Sequence, residues 1–256
     1  RGLSLGFDAV CTGHYASIVD DGAGNLELHR SLAMAKDQSY VLGVLNAKQL
    51  EHSMFPLGAT ASKDLIRQEA RDRGLSVANK PDSYDICFIP EGDTRDWLKD
   101  FVPTDPGKIV DTEGNELGEH DGHVGFTIGQ RKGLRIGKPA ADGKPRYVLE
   151  IRPKTKEVVV GPEAALEIAE LSGARYTWCG KAPEAPEQEF ACEVQVRAHG
   201  DTVKALAAVV DGELRITLVE PLYGVATGQT AVVYLGTRVL GQMTIDSTRS
   251  KVTSGV

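Results

Sequence analysis

Cysteine is sparse and unpaired in this chain. Cys11, Cys87, Cys179 and Cys192 are scattered over 256 residues with no CxxC spacing, which argues against a disulfide-stapled scaffold and a cysteine-rich zinc site. That scatter fits a reducing, cytoplasmic setting. No stretch approaches the roughly 18 consecutive apolar residues of a membrane-spanning helix. No secretory leader is visible, although the sequence opens on Arg1 rather than Met, so an upstream segment is compatible with it. There is no internal repeat. Positive charge is also short: 29 Lys and Arg face 36 Asp and Glu, a net charge of −7, which disfavours a generally nucleic-acid-coating surface, because phosphate binding needs clustered cations.

What is present reads as a soluble globular chain. A hydrophobic content of 41% with 25% charged residues is ordinary, and the length suits one large domain or two to three small ones. The acidic average conceals a local exception. Arg131, Lys132, Arg135, Lys138, Lys144 and Arg146 face the single acid Asp142, in a Gly-rich segment able to follow a phosphate backbone while acidic surfaces elsewhere suppress non-specific binding. A solvated loop has the same composition.

The run Asp82-Ser83-Tyr84-Asp85-Ile86-Cys87-Phe88-Ile89-Pro90 sets one thiol between apolar residues and carboxylates. A cysteine acts as nucleophile or sulfur carrier only as thiolate, beside cations or a helix N-terminus. Asp82 and Asp85 oppose that, so activation of Cys87 must come from Lys80, from groups distant in sequence or from substrate. Spacing alone favours a buried structural cysteine.

Periodicity predicts a strand over 7–11 that ends at Thr12-Gly13-His14-Tyr15, the place where open α/β sheets hold ligands. A second strand is expected over 26–29. Helices are expected over 46–54 and 62–73, the latter with Ser62 as N-cap and Gly74 as stop. A short helix over 93–101 ends before Pro103. Hairpins surround Thr112-Glu113-Gly114-Asn115 and Pro153-Lys154-Thr155. From Leu166 onward strands dominate. Phe190, Cys192, Val194 and Val196 alternate with Glu193, Gln195 and Arg197, and strands over 214–219, 229–235 and 239–245 complete a small closed or nearly closed β-barrel.

Several short runs carry a resemblance across nearly the whole chain. Gly13-His14-Tyr15, Lys36-Asp37-Gln38-Ser39-Tyr40, Phe55-Pro56-Leu57-Gly58, the Cys87 run, His120-Asp121-Gly122, Phe126 to Leu134 and Gly228-Gln229 occur in that order. Together they resemble the bacterial tRNA-specific 2-thiouridylase family, which replaces the 2-oxygen of the wobble uridine with sulfur. The resemblance implies an α/β plus β architecture. Residues 1–80 correspond to the C-terminal part of a PP-loop ATP pyrophosphatase domain of the adenine-nucleotide α-hydrolase-like type, 81–165 to a small central domain with the Cys loop and basic segment, and 166–256 to a small β-barrel.

By the same resemblance Cys87 matches the persulfide-bearing catalytic cysteine, and Gly13 a position in the ATP pocket. His14, Lys36, Asp37, Gln38, Arg197, Ala198 and Gln229 match tRNA contacts. Where the family often has Arg-Tyr, this sequence has Arg197-Ala198. The implied substrates and partners are ATP with Mg²⁺, the anticodon arm of tRNA, and a sulfur donor such as a cysteine desulfurase or sulfur-relay protein. The family's phosphate-holding loop and second catalytic cysteine precede the region matching Arg1, and Cys11 stands where the family commonly has Ala. The expectation is therefore a truncated portion unable to adenylate tRNA unaided. By residue type alone, His14 also suits a turn brace, Lys36-Asp37-Gln38 a solvent loop, Arg197 the outer face of a strand and Gln229 a turn. A non-catalytic RNA-binding protein, or another ATP-dependent RNA-modifying or amidotransferase-like enzyme with a structural Cys87, stays open on the same grounds.

Overall fold

A computed structural model describes residues 2–80, 105–137 and 142–250. Cys87, the helix expected over 93–101 and Lys138 lie outside the described residues. The chain groups into two compact units. One joins Glu170–Glu220 and Thr227–Thr248 to the described residues of Arg1–Lys80; the other joins Pro221–Ala226 to the described residues of Pro81–Ala169 and Arg249–Val256.

In the first unit, β1 (Val10–Cys11) pairs in parallel with β4 (Ser53–Met54). The expected strand over 7–11 is thus cut to two residues. Gly6 before it is left-handed and Phe7 is exposed, and only Ser53 and Met54 offer backbone partners. Those two residues also shorten the helix expected over 46–54. It runs only as α2 (Ala47–Glu51), opened by a capping box in which Asn46 and Gln49 exchange side-chain and backbone hydrogen bonds. The helix expected over 62–73 is present as α3 (Lys63–Asp72), with Ser62 Oγ accepting from the Leu65 N–H. A one-turn helix, α1 (Ser39–Leu42), has no sequence signal, being too short for periodicity to show.

Two strands from this N-terminal stretch join the C-terminal sheet. They are β2 (Ala16–Asp20) and β3 (Leu26–Arg30), a hairpin whose second strand pairs with β15 (Arg238–Thr244). The remaining strands are β9 (Glu167–Gly173), β10 (Tyr176–Trp178), β11 (Phe190–Gln195), β12 (Val203–Val210), β13 (Glu213–Tyr223), β14 (Thr230–Leu235) and β16 (Ser247–Ser250). Their order is β16-β9-β13-β12-β11-β14-β15-β3-β2, with β10 also on β15. Leu28, Leu50, Cys179, Val232, Tyr234 and Val239 are buried together beneath β3, α2 and the sheet, each large apolar side chain contributing about 1.5–3 kcal/mol.

The second unit holds a four-stranded sheet in the order β6 (Glu116–His120), β5 (Gly107–Val110), β8 (Glu157–Gly161), β7 (Tyr147–Arg152). Both expected hairpins are there. Ile109, Val148, Val158 and Val160 are fully buried in its core with Leu134 at its edge. One turn chemistry serves both units. In Asp21-Gly22-Ala23-Gly24-Asn25 and Asp111-Thr112-Glu113-Gly114-Asn115 the aspartate accepts from the backbone N–H groups two and four residues on and from the asparagine side chain. Each turn has a left-handed Gly in fourth place. These bonds, led by that from the Asn amide, hold both aspartates below the usual carboxylate range.

Burial holds three acids protonated in the first unit. Cys179, Cys192 and Tyr234 are each pushed up to about 12, chiefly by desolvation. In the unfolded chain the thiols release protons near 9 and the phenol near 10. The folded chain therefore binds more protons than the unfolded one between these limits, so this stabilisation is whole below pH 9 and is lost as pH rises toward 12. The melting temperature is expected to fall steadily above pH 9 by calorimetry, and less steeply in a Cys179→Ala, Cys192→Ala variant referred to its own value at pH 8. A flat profile in the parent chain would contradict this.

Candidate functional site

Residues far apart in sequence meet around the guanidinium of Arg30, at the end of β3. One nitrogen pairs with Asp37 Oδ2 at 3.6 Å and the other donates to Gln195 Oε1 at 3.1 Å. Its carbon lies 3.9 Å above the ring of Tyr234, which is fully buried. Asp37 spends its remaining capacity locally: Oδ1 accepts from the Ser31 N–H at 2.8 Å and the Ser39 N–H at 3.3 Å, and Oδ2 accepts from Ser39 Oγ at 2.7 Å. Ser39 Oγ lies 3.3 Å from Tyr234 Oη, closing the ring of contacts. With side-chain exposures of 13% and 8%, Arg30 and Asp37 form a mostly desolvated pair. Deleting one partner of such a pair costs about 3–5 kcal/mol because the other charge is stranded, and a desolvated cation over an aromatic face adds about 2 kcal/mol.

Asp37 belongs to this cluster and Arg197 and Ala198 are bonded to its Gln195, while the other predicted tRNA residues of the first unit adjoin it through neighbours in sequence. Gln38 Oε1 accepts from the Tyr15 N–H at 3.0 Å, and the Gln38 N–H donates to the Tyr15 carbonyl at 2.8 Å. That double bond fixes the backbone next to His14, whose half-buried ring lies edge-on to Phe55 and within 2.8 Å of Thr12 Oγ1. Lys36 is exposed, one residue before Asp37. In β11, Gln195 Nε2 donates to the carbonyls of Arg197 at 2.8 Å and Ala198 at 3.2 Å, while both of those residues are exposed. Ala198 thus takes part through its carbonyl, which any residue supplies. Gln229 enters through its neighbour, since Tyr40 Oη donates to the Thr230 carbonyl at 2.9 Å.

The buried members were hidden from sequence reading. Gln195 falls on the polar phase of the β11 alternation and so is expected outside, yet it is 5% exposed. The strand ends there, and Arg30 with two carbonyls satisfies the amide inside. Arg30 and Tyr234 carry no motif; only the pairing of β3 with β15 and of β15 with β14 brings them together.

Beside His14 a cavity of about 280 Å³ is lined mainly by apolar atoms of Val10, Leu42, Leu45 and Phe55, with Gln49 and His52 at its wall. Gly13 is exposed, and a Cβ there would touch only Leu57 Cδ1 at 3.8 Å. Among the described residues no group of three His, Cys, Asp or Glu side chains could hold a metal ion. Among the described cysteines, Cys179 and Cys192 are buried with raised pKa and unsuited to nucleophilic work. Cys11 is exposed on β1.

In the second unit the basic segment is shaped by Gln130. Its Oε1 accepts from the Thr127 N–H at 3.1 Å and its Nε2 donates to the Lys132 carbonyl at 2.9 Å, while backbone bonds tie Gly129 and Gln130 to Val148 of β7. Leu134 anchors the segment in the core. Arg131, Arg135, Lys144 and Arg146 surround an open depression of about 330 Å³ with Ile136 and Pro145. Arg146 is paired with Asp142 and Arg135 with Asp121, so part of this charge is already balanced. His120 is structural. The Gly122 N–H donates to Nδ1, so the proton sits on Nε2, which donates to the Lys156 carbonyl. Desolvation lowers its pKa.

Three family models cover the chain in succession: a tRNA methyl transferase HUP domain over residues 2–91, a tRNA methyl transferase PRC-barrel domain over 95–162, and an aminomethyltransferase beta-barrel domain over 169–245. The class is thus an α/β HUP domain followed by two β domains. The tRNA-specific 2-thiouridylase MnmA of Leifsonia xyli is 64% identical over 252 residues, spanning 98% of this chain and 69% of that protein. Those of Clavibacter michiganensis and Kocuria rhizophila are 61% and 59% identical, over 98% and 96% of this chain and 66% and 68% of theirs. The chain belongs to the tRNA-specific 2-thiouridylase MnmA family, and it spans about two thirds of the length of these relatives.

The Phe55-Pro56-Leu57-Gly58 run has a steric cause here. A Cβ on Gly58 would stand 1.9 Å from the Ala16 carbonyl oxygen, and the Gly58 carbonyl accepts from the Leu32 N–H and Ser31 Oγ. Gly58→Ala is expected to destabilise the chain by about 1–3 kcal/mol and to lower its denaturation midpoint in urea. An unshifted midpoint would show that β2 yields at no cost.

Proposed function

We propose that this chain carries the sulfur-transfer cysteine and much of the anticodon-arm surface of an enzyme that converts the wobble uridine of tRNA to 2-thiouridine. The observation that carries this reading is the convergence in one unit of His14, Lys36-Asp37-Gln38, Arg197-Ala198 and Gln229, joined through Tyr15, Arg30, Gln195 and Tyr40. Segments with no sequence proximity are held in one polar framework whose outer members, Lys36 and Arg197, are exposed cationic residues. Cations on a fixed backbone suit a folded RNA recognised through shape and phosphates. The basic segment, organised by Gln130, adds a second phosphate-following surface. Three working parts are proposed: 1–80 for the nucleotide-binding side, 81–165 for the Cys87 loop and basic segment, and 166–256 for the barrel.

The chemistry follows from the substrate. A uridine carbonyl oxygen is a poor leaving group, so ATP, a substrate of the reaction, transfers its adenylyl group to O2 as the bond between its α- and β-phosphates breaks and pyrophosphate departs. The terminal sulfur of a Cys87 persulfide, received from a cysteine desulfurase or relay protein, then attacks C2; the C–O bond breaks and AMP departs with its electron pair. The S–S bond left between Cys87 and the base is cleaved by a second thiol, which supplies two electrons and ends in a disulfide. The wobble base must leave its stack for C2 to be reached. Asp37 is spent inside the fold, so its part is to hold Lys36 and Gln38 in place. Nothing in the described chain requires a glycine at position 13 for packing, which suits close approach of the nucleotide to that backbone. The setting proposed is the cytoplasm.

Incubating the chain with a cysteine desulfurase and sulfur-labelled cysteine should place label on Cys87, readable by mass spectrometry of the persulfide. Cys87→Ser should abolish that label and leave tRNA affinity almost unchanged. Label retained in the variant, or absent from the parent chain, would sink the assignment.

A further inference from the structure

We propose that Gln195, held by Arg30, is a positioning residue that couples the Lys36–Gln38 segment to the Arg197–Ala198 turn, so that both meet one RNA in a fixed relation. The inference rests on the tRNA reading above and adds residues too buried to reach the ligand themselves.

The amide of Gln195 suits this task through its bonding capacity. It has one acceptor oxygen and two donor hydrogens. The oxygen accepts from Arg30 at 3.1 Å and the nitrogen donates to the Arg197 and Ala198 carbonyls at 2.8 and 3.2 Å. A carboxylate in its place would accept the Arg30 hydrogen bond but have nothing to donate to the two carbonyls. An ammonium would serve the carbonyls and repel Arg30. Only one orientation of the amide satisfies all partners, so the turn's backbone is tied to the guanidinium, which is tied to Asp37 and through it to Ser31 and Ser39. Holding the 197–198 backbone by its own carbonyls gives the exposed Arg197 side chain a rooted stem. The ordering cost of binding is then met largely during folding.

The test is titration of a tRNA anticodon stem-loop against the full chain and its variants at several salt concentrations. Gln195→Met keeps the volume and removes the amide. It is expected to weaken binding roughly tenfold and to lower the slope of log K against log salt by about one. In an Arg197→Ala background it should have no further effect. Arg30→Lys keeps a charge beside Asp37 but cannot also serve Gln195 and stack on Tyr234; it should behave alike, and it carries the test if Gln195→Met does not melt cooperatively. The Gly200 amide, bonded to the Arg197 carbonyl, should exchange faster in both variants, while the Ser39 amide stays protected in Gln195→Met. Unchanged affinity and slope in a folded variant, or effects that add fully to those of Arg197→Ala, would overturn the coupling and leave the tRNA reading standing. Failure of the unsubstituted chain to bind the stem-loop would overturn both.

Discussion

A single guanidinium, that of Arg30, organises the first unit. It is bound on two sides by Asp37 and Gln195 and lies against the ring of Tyr234, with little water to compete. A delocalised planar cation can do this where an ammonium cannot, because its nitrogens diverge toward separate partners while its face stays free for the ring. β3 enters the C-terminal sheet with a charge at its end, and that charge dictates where the following loop folds. Asp37 is drawn in, and Lys36 and Gln38 are set on either side of it. Gln38 then clamps Tyr15 and so defines the backbone that carries His14.

That constraint gives the short motifs physical content. In Lys36-Asp37-Gln38-Ser39-Tyr40, Lys36 is exposed while its neighbours are tied into the fold. Asp37 and Ser39 close the ring with Arg30 and Tyr234, Gln38 binds a neighbouring backbone, and Tyr40 reaches the Thr230 carbonyl. Gly58 lets a loop rest on the Ala16 carbonyl where no side chain fits. His120 is a neutral imidazole bridging two backbone groups. Residues in such motifs thus serve scaffolding as much as chemistry, and separating the two needs the hydrogen-bond partners of each atom.

The two cation-bearing surfaces differ in construction. Around Arg197, positive charge stands on a backbone braced from beneath by buried polar groups. In the Arg131–Arg146 segment two cations, Arg135 and Arg146, are balanced by nearby acids, and the brace is one side chain, Gln130, within its own loop. The first arrangement suits a contact made in a fixed place, the second a phosphate track that adjusts. A net charge of −7 over the whole chain restricts favourable contact with RNA to such places.

Much of the architecture was legible in local chemistry: the Ser62 cap, the aspartate turns, the alternating β strands and the order of motifs that identifies the family all depend on residues close together in the chain. The short elements were not. α1 is a single turn, β1 owes its two residues to a partner more than forty positions away, and β2 and β3 look like any half-buried strands until the sheet accepts them. Candidate contacts such as Lys36 and Arg197 could be named from motifs, yet what unites them could not, because Arg30, Gln195 and Tyr234 are ordinary residue types in ordinary patterns. Local sequence sets which backbone shapes are cheap. The pairing of distant strands alone decides which polar groups lose water together, and that shared desolvation is what turns scattered residues into one site.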